Sequence, residues 1–172
     1  PPLPPKLAFI KTPVWDRVDA DTPEAFAELV AALGGHCAEH VLPESLRDAW
    51  DWHRTIMEAE MAWNLDLEWE KGRDRLSESL RSQLARGRAV GALDYQKALG
   101  RIANLNEGFA ELLAVHDAVL TPSAPGTAPK LEATGDPAFC TLWTLCGMPA
   151  VTLPLMNGAN GLPLGVQLVG AR

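Results

Sequence analysis

Hydrophobic positions along this chain recur with two different periods, and the switch between them outlines a fold. "KLAFIKT" (6–12) is short and mostly apolar, as a buried strand is. In "DTPEAFAELVAALGG" the apolar residues Phe26, Leu29, Val30 and Leu33 return every three to four positions, which predicts an amphipathic helix. Its start carries helix-initiating chemistry: Asp21 or Thr22 as cap, Pro23 in the first turn, and Glu24 placed to complete a capping box with Asp21. Gly34 and Gly35 are suited to end it in a left-handed conformation. "HCAEHVLP" then reads as a second strand. Strand, helix and strand in this order form a βαβ unit, so the two strands are expected to run parallel.

From Glu44 to His116 the pattern is helical. Trp52, Ile56, Ala59, Trp63 and Leu67 form one stripe; Ala98, Ile102, Leu105, Phe109 and Leu112 form another. Both are expected to pack against a sheet or against each other. Gly72, Gly87 and Gly91 read as breaks between helices. "DAVLTPSAPGTAPKLEATG" begins as a short strand and becomes a long proline-rich loop, and long ordered loops are often functional. "DPAFCTLWTLCG" predicts a short helix with Asp136 as cap and Pro137 at its first position. "PAVTLPLM" and "PLGVQLV" are strands joined by "NGANGL", a hairpin with a longer loop. Together these elements predict a single domain over residues 1–172 of the α/β class, layered α/β/α around a mixed sheet.

Composition narrows the chemistry. The 172 residues are 47% hydrophobic and 22% charged, values suited to a globular domain with a core. No apolar run reaches the ~18 residues of a membrane span, and "PPLPPKLAFIKTP" lacks the layout of a secretion signal. "PPLPP" itself reads as a stiff, extended connector. The net charge of −7 argues against a free-standing nucleic-acid binder, which needs a basic face for phosphates. The one locally basic run, "RDRLSESLRSQLARGRAV", alternates at helical spacing with Glu78 and serines and reads as a solvated helix face. Three cysteines without CxxC spacing do not suggest a disulfide framework, and a cytoplasmic location is expected.

Individual site candidates are sparse. Gly158, Gly161 and Gly165 match neither a P-loop nor a dinucleotide loop, and a strand follows them where an anion site needs a helix N-terminus. His36, Cys37, Glu39 and His40 cluster in sequence. A strand, however, places His36 and His40 about 13 Å apart, too far for one ion. None of the five serines lies in GxSxG. Ser123, in "TPSAP", is the one serine in a plausible cleft loop, and it suits substrate positioning better than nucleophilic attack. Cys140 and Cys146 read as core, and Glu58, Glu60, Glu68 and Glu70 as solvated helix faces.

The C-terminal third resembles the amidase signature family. The residues that carry the resemblance are "HDAVLTPSAPGTAP", "GDPAFCTLWTLCGMPAVTLPL" and "NGLPLGVQLVGA", and residues 6–43 look like the strand–helix–strand that follows the catalytic segment in those enzymes. The resemblance implies the C-terminal part of the amidase signature fold. It also implies hydrolysis of linear carboxamide C–N bonds by a Lys–cis-Ser–Ser triad, in which neutral lysine, relayed through a second serine, activates the nucleophile. These 172 residues hold no Ser-Ser pair and no serine in a glycine-rich segment, so no catalytic residue carries over. The chain is thus expected to be a C-terminal fragment, catalytically silent by itself, that supplies scaffold and pocket wall. By resemblance the substrate-binding candidates are Thr121, Pro122, Ser123, Asp136, Phe139 and Trp143. The expected partner is a small-molecule amide, with no cofactor, metal, nucleic acid or membrane, and with open sheet edges available for self-association. The alternatives are a non-catalytic binding or assembly module and a fragment of a glutamine-dependent amidotransferase of the A type.

Overall fold

The computed structural model describes residues 3–172, so Pro1 and Pro2 of the "PPLPP" connector lie outside the described residues. The chain divides into two compact units. One takes in the chain up to Arg47 together with Asn106–Arg172; the other is Asp48–Leu105. The stretch read from sequence as a single domain therefore holds two compact units.

The first unit is built on a sheet. Strands β1 (Leu7–Lys11) and β2 (Cys37–Val41) flank helix α1 (Thr22–Leu33) and pair in parallel, as a βαβ unit requires. Strand β3 (Ala118–Pro122) lies parallel on the other side of β1. Strand β5 (Pro163–Val169) runs antiparallel to β3, and β4 (Ala150–Asn157) antiparallel to β5. The order is β2-β1-β3-β5-β4, a mixed five-stranded sheet, and the fold class is α/β as the sequence pattern implies. β1 is central between two partners, and its residues Leu7, Ala8, Phe9 and Ile10 are all buried. That explains its continuous rather than alternating apolar run.

Alternate residues of β1, β3 and β5 build one core face. Leu7, Phe9, Leu120, Leu164 and Val166 pack with Phe26 of α1. Phe9 and Phe26 stack with centroids 5.7 Å apart, and the indole of Trp15 meets both edge-on. Each such side chain taken out of water contributes about 1.5–3 kcal/mol. β4 forms one edge of the sheet and is largely exposed. Its register shifts between Leu153 and Met156, where Pro154 has no N–H to give the ladder. Helix α6 (Ala138–Cys146) is almost wholly buried and ends at Gly147, whose φ of 64° forms a left-handed cap that glycine favours.

The second unit is helical: α2 (Ala49–Asn64), α3 (Asp66–Gly72), α4 (Glu78–Arg88) and the first part of α5 (Ala92–Leu113). Two expectations are corrected here and one is sharpened. The break between α4 and α5 falls at 89–91, and Gly87 is the second-to-last residue of α4, where an added Cβ would stand 1.9 Å from the Glu58 carbonyl oxygen. Glycine is used because the α2 backbone passes too close for any side chain. The α2 stripe is not buried along its length. Ile56 is buried, but Trp63 is 83% exposed, and Leu67 in α3 also faces solvent. Finally, Glu58 is buried rather than solvated, its carboxylate held by the Arg86 guanidinium through three contacts of 2.5–3.0 Å. The basic run contains helix α4, and two of its arginines form ion pairs: Arg86 with Glu58, and Arg88 with Asp66 and Glu70. Ser77 caps α4 by accepting a hydrogen bond from Leu80 N at 3.2 Å.

Candidate functional site

β1 and β3 run parallel, so the segments leaving their C-terminal ends emerge on the same edge of the sheet. In open α/β sheets that edge is where ligands bind. After β1 come a short 3₁₀ turn at Trp15–Arg17 and then Asp19; after β3 comes the loop beginning at Ser123. The two segments are stitched together. Asp19 N–H donates to the Pro125 carbonyl at 2.9 Å, and Thr22 Oγ1 donates to the same oxygen at 2.7 Å. At its far end the loop is held by Arg17, which pairs with Asp136 at 2.5 Å. Between these fastenings the loop is open to solvent, with Leu131 99% exposed.

Thr121 and Pro122 close β3 and are buried, with Thr121 Oγ1 donating to the Ile10 carbonyl at 3.3 Å. Ser123 is half-buried and fixed through its backbone: its N–H donates to the Gly165 carbonyl at 3.1 Å, and its own carbonyl accepts from Cys140 Sγ. A Cβ at Gly165 would lie 2.1 Å from Ser123 Oγ and 3.1 Å from Thr152 Cγ2, so a side chain there would displace the Ser123 hydroxyl. Asp136 accepts a hydrogen bond from Ala138 N–H at 3.0 Å. The helix starts at Ala138 rather than at Pro137, so Asp136 caps it from one residue further out than the sequence suggests. Phe139 is 1% exposed and sits edge-on to Trp15; its carbonyl accepts from Gln167 Nε2 at 3.3 Å. Trp143 is also 1% exposed, packed against Phe109 with centroids 5.1 Å apart. Thr121, Pro122, Ser123, Asp136 and Phe139 thus gather around the β3 exit, whereas Trp143 lies deeper in α6.

Capping at α1 also differs from expectation. Asp21 and Thr22 make no side-chain bond to their own helix. Thr22 is drawn to Pro125, and Asp21 Oδ2 accepts from Ala159 N–H of the β4–β5 loop at 2.8 Å. Asn160 of that loop donates to Thr127 Oγ1 at 2.9 Å, so the hairpin loop and the β3 exit loop are fastened to each other as well. Trp15, Arg17 and Asp19 are the participants that sequence reasoning missed. They lie in "VWDRVDAD", which shows no periodicity, and their roles depend on partners more than a hundred positions away.

Carbonyls of Ser123 and Pro125 are turned inward and engaged. Burial pushes the Cys140 thiol up and the Cys146 thiol up to about 11, so neither provides a thiolate near neutral pH. Among the described residues no group of three or more His, Cys, Asp and Glu is arranged to hold a metal ion. No described helix is long and apolar enough to cross a membrane.

Comparison with known proteins agrees with this architecture. The family model "Amidase" matches residues 2–172. The chain is 27% identical over 172 residues to 2-amino-5-chloromuconic acid deaminase of Comamonas testosteroni, covering 91% of this chain and 37% of that protein. It is 40% identical over 84 residues to the A-type subunit of glutamyl-tRNA(Gln) amidotransferase from Agathobacter rectalis, covering 44% of this chain and 17% of that one. Among solved structures, a crystal structure of an amidase superimposes with a TM-score of 0.82 at 24% identity, covering 97% of this chain and 42% of its own. The A-type subunit of the glutamyl-tRNA(Gln) amidotransferase of Thermotoga maritima superimposes with a TM-score of 0.69 at 25% identity, covering 98% and 39%. The chain spans well under half the length of each of these relatives.

Proposed function

Because the chain belongs to the amidase family, we propose that it forms the sheet scaffold and one pocket wall of a hydrolase acting on linear carboxamide C–N bonds. The nucleophile and its lysine and serine relays are assigned to the family segment absent from these 172 residues, which hold no Ser-Ser pair. The observation that carries the reading is the loop from Thr121 to Asp136. It leaves the C-terminal end of β3 and is fastened at both ends. A wall of this kind raises rate by holding substrate in an attack geometry, which a loose loop does not do. In this reading Thr121, Pro122 and Ser123 set the floor. Asp136 fixes the rim, Phe139 supports it from beneath, and Trp143 holds the helix that carries Phe139. The substrate is a small amide, and the protein works in the cytoplasm, in keeping with its three free cysteines.

A fluorophosphonate probe tests this directly. The 172-residue chain should remain unlabelled and should not hydrolyse simple carboxamides. Stoichiometric labelling of any of its five serines overturns the assignment of the nucleophile to another segment.

A second reading, an assembly module, is favoured by one observation. β4 ends the sheet with an unpaired edge, and Val151 and Leu155 on it are 54% and 59% exposed. Open edges of this kind recruit another strand, including one from a second copy. Light scattering after size exclusion separates the readings, since a concentration-independent monomer removes self-association. Within the enzyme reading, glutamine-dependent transfer is the variant suggested by similarity to the A-type chains of the amidotransferases.

A further inference from the structure

His40 on β2 and His116 in the segment before β3 meet far from the loop described above. Their Nε2 atoms stand 3.3 Å apart, and the rings are nearly perpendicular at 85°. His116 Nδ1 lies 3.0 Å from the carbonyl oxygen of Leu112, in the last turn of α5. A carbonyl can only accept, so Nδ1 carries the proton, and Nε2 of the neutral His116 ring is the bare lone-pair nitrogen. That lone pair accepts the Nε2–H of His40 in the ion-free pair, and when an ion binds at His40 Nε2 that proton leaves it, the ring passing to its Nδ1–H tautomer.

We propose that His40 and His116 form a two-imidazole site for a late first-row divalent cation, of which Zn²⁺ is the representative. Three observations converge on it. Two imidazole nitrogens on one tetrahedral zinc, each about 2.0–2.1 Å from it, are held about 3.3–3.4 Å apart, which is the separation found here. The ring centroids are only 4.8 Å apart, closer than two rings aimed head-on along the N···N line. The rings are therefore bent off that line. The Leu112 carbonyl supplies the outer hydrogen bond that metal-bound histidines regularly make, fixing both tautomer and ring orientation before any ion arrives. Neutral imidazole suits Zn²⁺, Cu²⁺ and Ni²⁺ and selects against Mg²⁺ and Ca²⁺. Among the described residues no third such ligand joins the pair, so water completes the coordination sphere. Both rings are half-buried, and a groove of about 610 Å³ lined in part by Lys6, Val115 and Asp117 reaches His116. A site of this kind is exchangeable.

The pairing is independent of the amidase reading, since neither ring belongs to the β3 exit loop. It is tested on the full 172-residue chain by calorimetric titration with ZnCl₂ near pH 7.5, and by the electron paramagnetic resonance spectrum of added Cu²⁺. One Zn²⁺ per chain is expected, with nitrogen hyperfine structure from imidazole on copper. His40→Ala and His116→Ala should each weaken binding at least tenfold, whereas His36→Ala and His53→Ala should leave it unchanged. ZnCl₂ should also raise the melting temperature of the parent chain and not that of H40A or H116A. Absence of saturable binding overturns the proposal. So does binding that survives both pair variants, or that is lost equally in H36A or H53A. Far-UV circular dichroism keeps the result interpretable by showing that the variants are folded.

Discussion

The two units hold themselves together by different means. The sheet unit buries large side chains: Phe9, Phe26, Phe139 and Trp143 are each 3% exposed or less, and their rings meet edge-on or stacked. The helical unit has few large buried apolar side chains. Its buried set includes Ala49, Ala62 and Ala98 beside Ile56, Leu84 and Leu105, and it leaves Trp63, Leu67 and Leu93 in solvent. What it has instead is close backbone approach at Gly87 and a dense set of ion pairs from Arg86 and Arg88. Large apolar burial tolerates sequence drift as long as volume is kept, whereas close approach tolerates none at the point of contact.

That contrast sets the size of the expected effects. Trp143→Ala should cost about 3–5 kcal/mol in chemical denaturation, because a fully buried indole leaves a cavity against Phe109. A loss under 1 kcal/mol would break the claim that large rings dominate the sheet unit. Gly87→Ala should cost about 1–3 kcal/mol by pushing on backbone rather than on a flexible side chain. Hydrogen exchange should show protection lost first across α2 and α4, and uniform loss over β1 and β3 would remove the distinction between the units. Arg17→Gln should cost no more than about 1 kcal/mol, since Arg17 and Asp136 are both partly exposed and solvent screens the pair. Its sharper readout is proteolysis, with cleavage in 126–135 accelerating once the rim fastening is gone.

The smallest effect is on pH dependence. Burial holds the His53 imidazole below its ordinary range. A lowered value means the unfolded chain binds the proton more readily than the folded one. The contribution of His53 is therefore intact above about pH 6.5 and lost as pH falls through and below that value. Denaturation midpoints should decline on that side, and His53→Gln should flatten the decline. A slope unchanged in the variant would assign it to other groups.

Much of the sheet unit was legible in the sequence because local pattern and tertiary role agree there. β1, α1, β2, β3 and the β4–β5 hairpin follow from periodicity, turn residues and the βαβ rule. The helical unit was legible in type but not in burial. Trp63 and Leu67 continue an apolar stripe by spacing, and spacing carries no information about whether anything covers it. Gly87 stands one residue from the helix end that its type suggests, but what requires glycine there lies on another helix, at Glu58. At the candidate site the β3 exit loop was visible from its prolines and length, while Arg17 and Asp19 were not, because their partners are distant in sequence. Asp21 and Thr22 carry ordinary capping chemistry, yet tertiary partners claim their side chains. The His40–His116 pair spans 76 positions, and the local cluster around His36 drew attention to the wrong neighbour.

The first turn of α1 has a consequence for redesign. Thr22 anchors Pro125, Asp21 anchors Ala159, and Asn160 reaches across to Thr127. Exchange of the β3 exit loop alone between relatives would strand these partners and leave Asp21 and Thr22 facing an unfamiliar contour. The transferable cassette is therefore discontinuous: 19–22, 122–127 and 157–162 must travel together for a new pocket shape to be held as firmly as the old one.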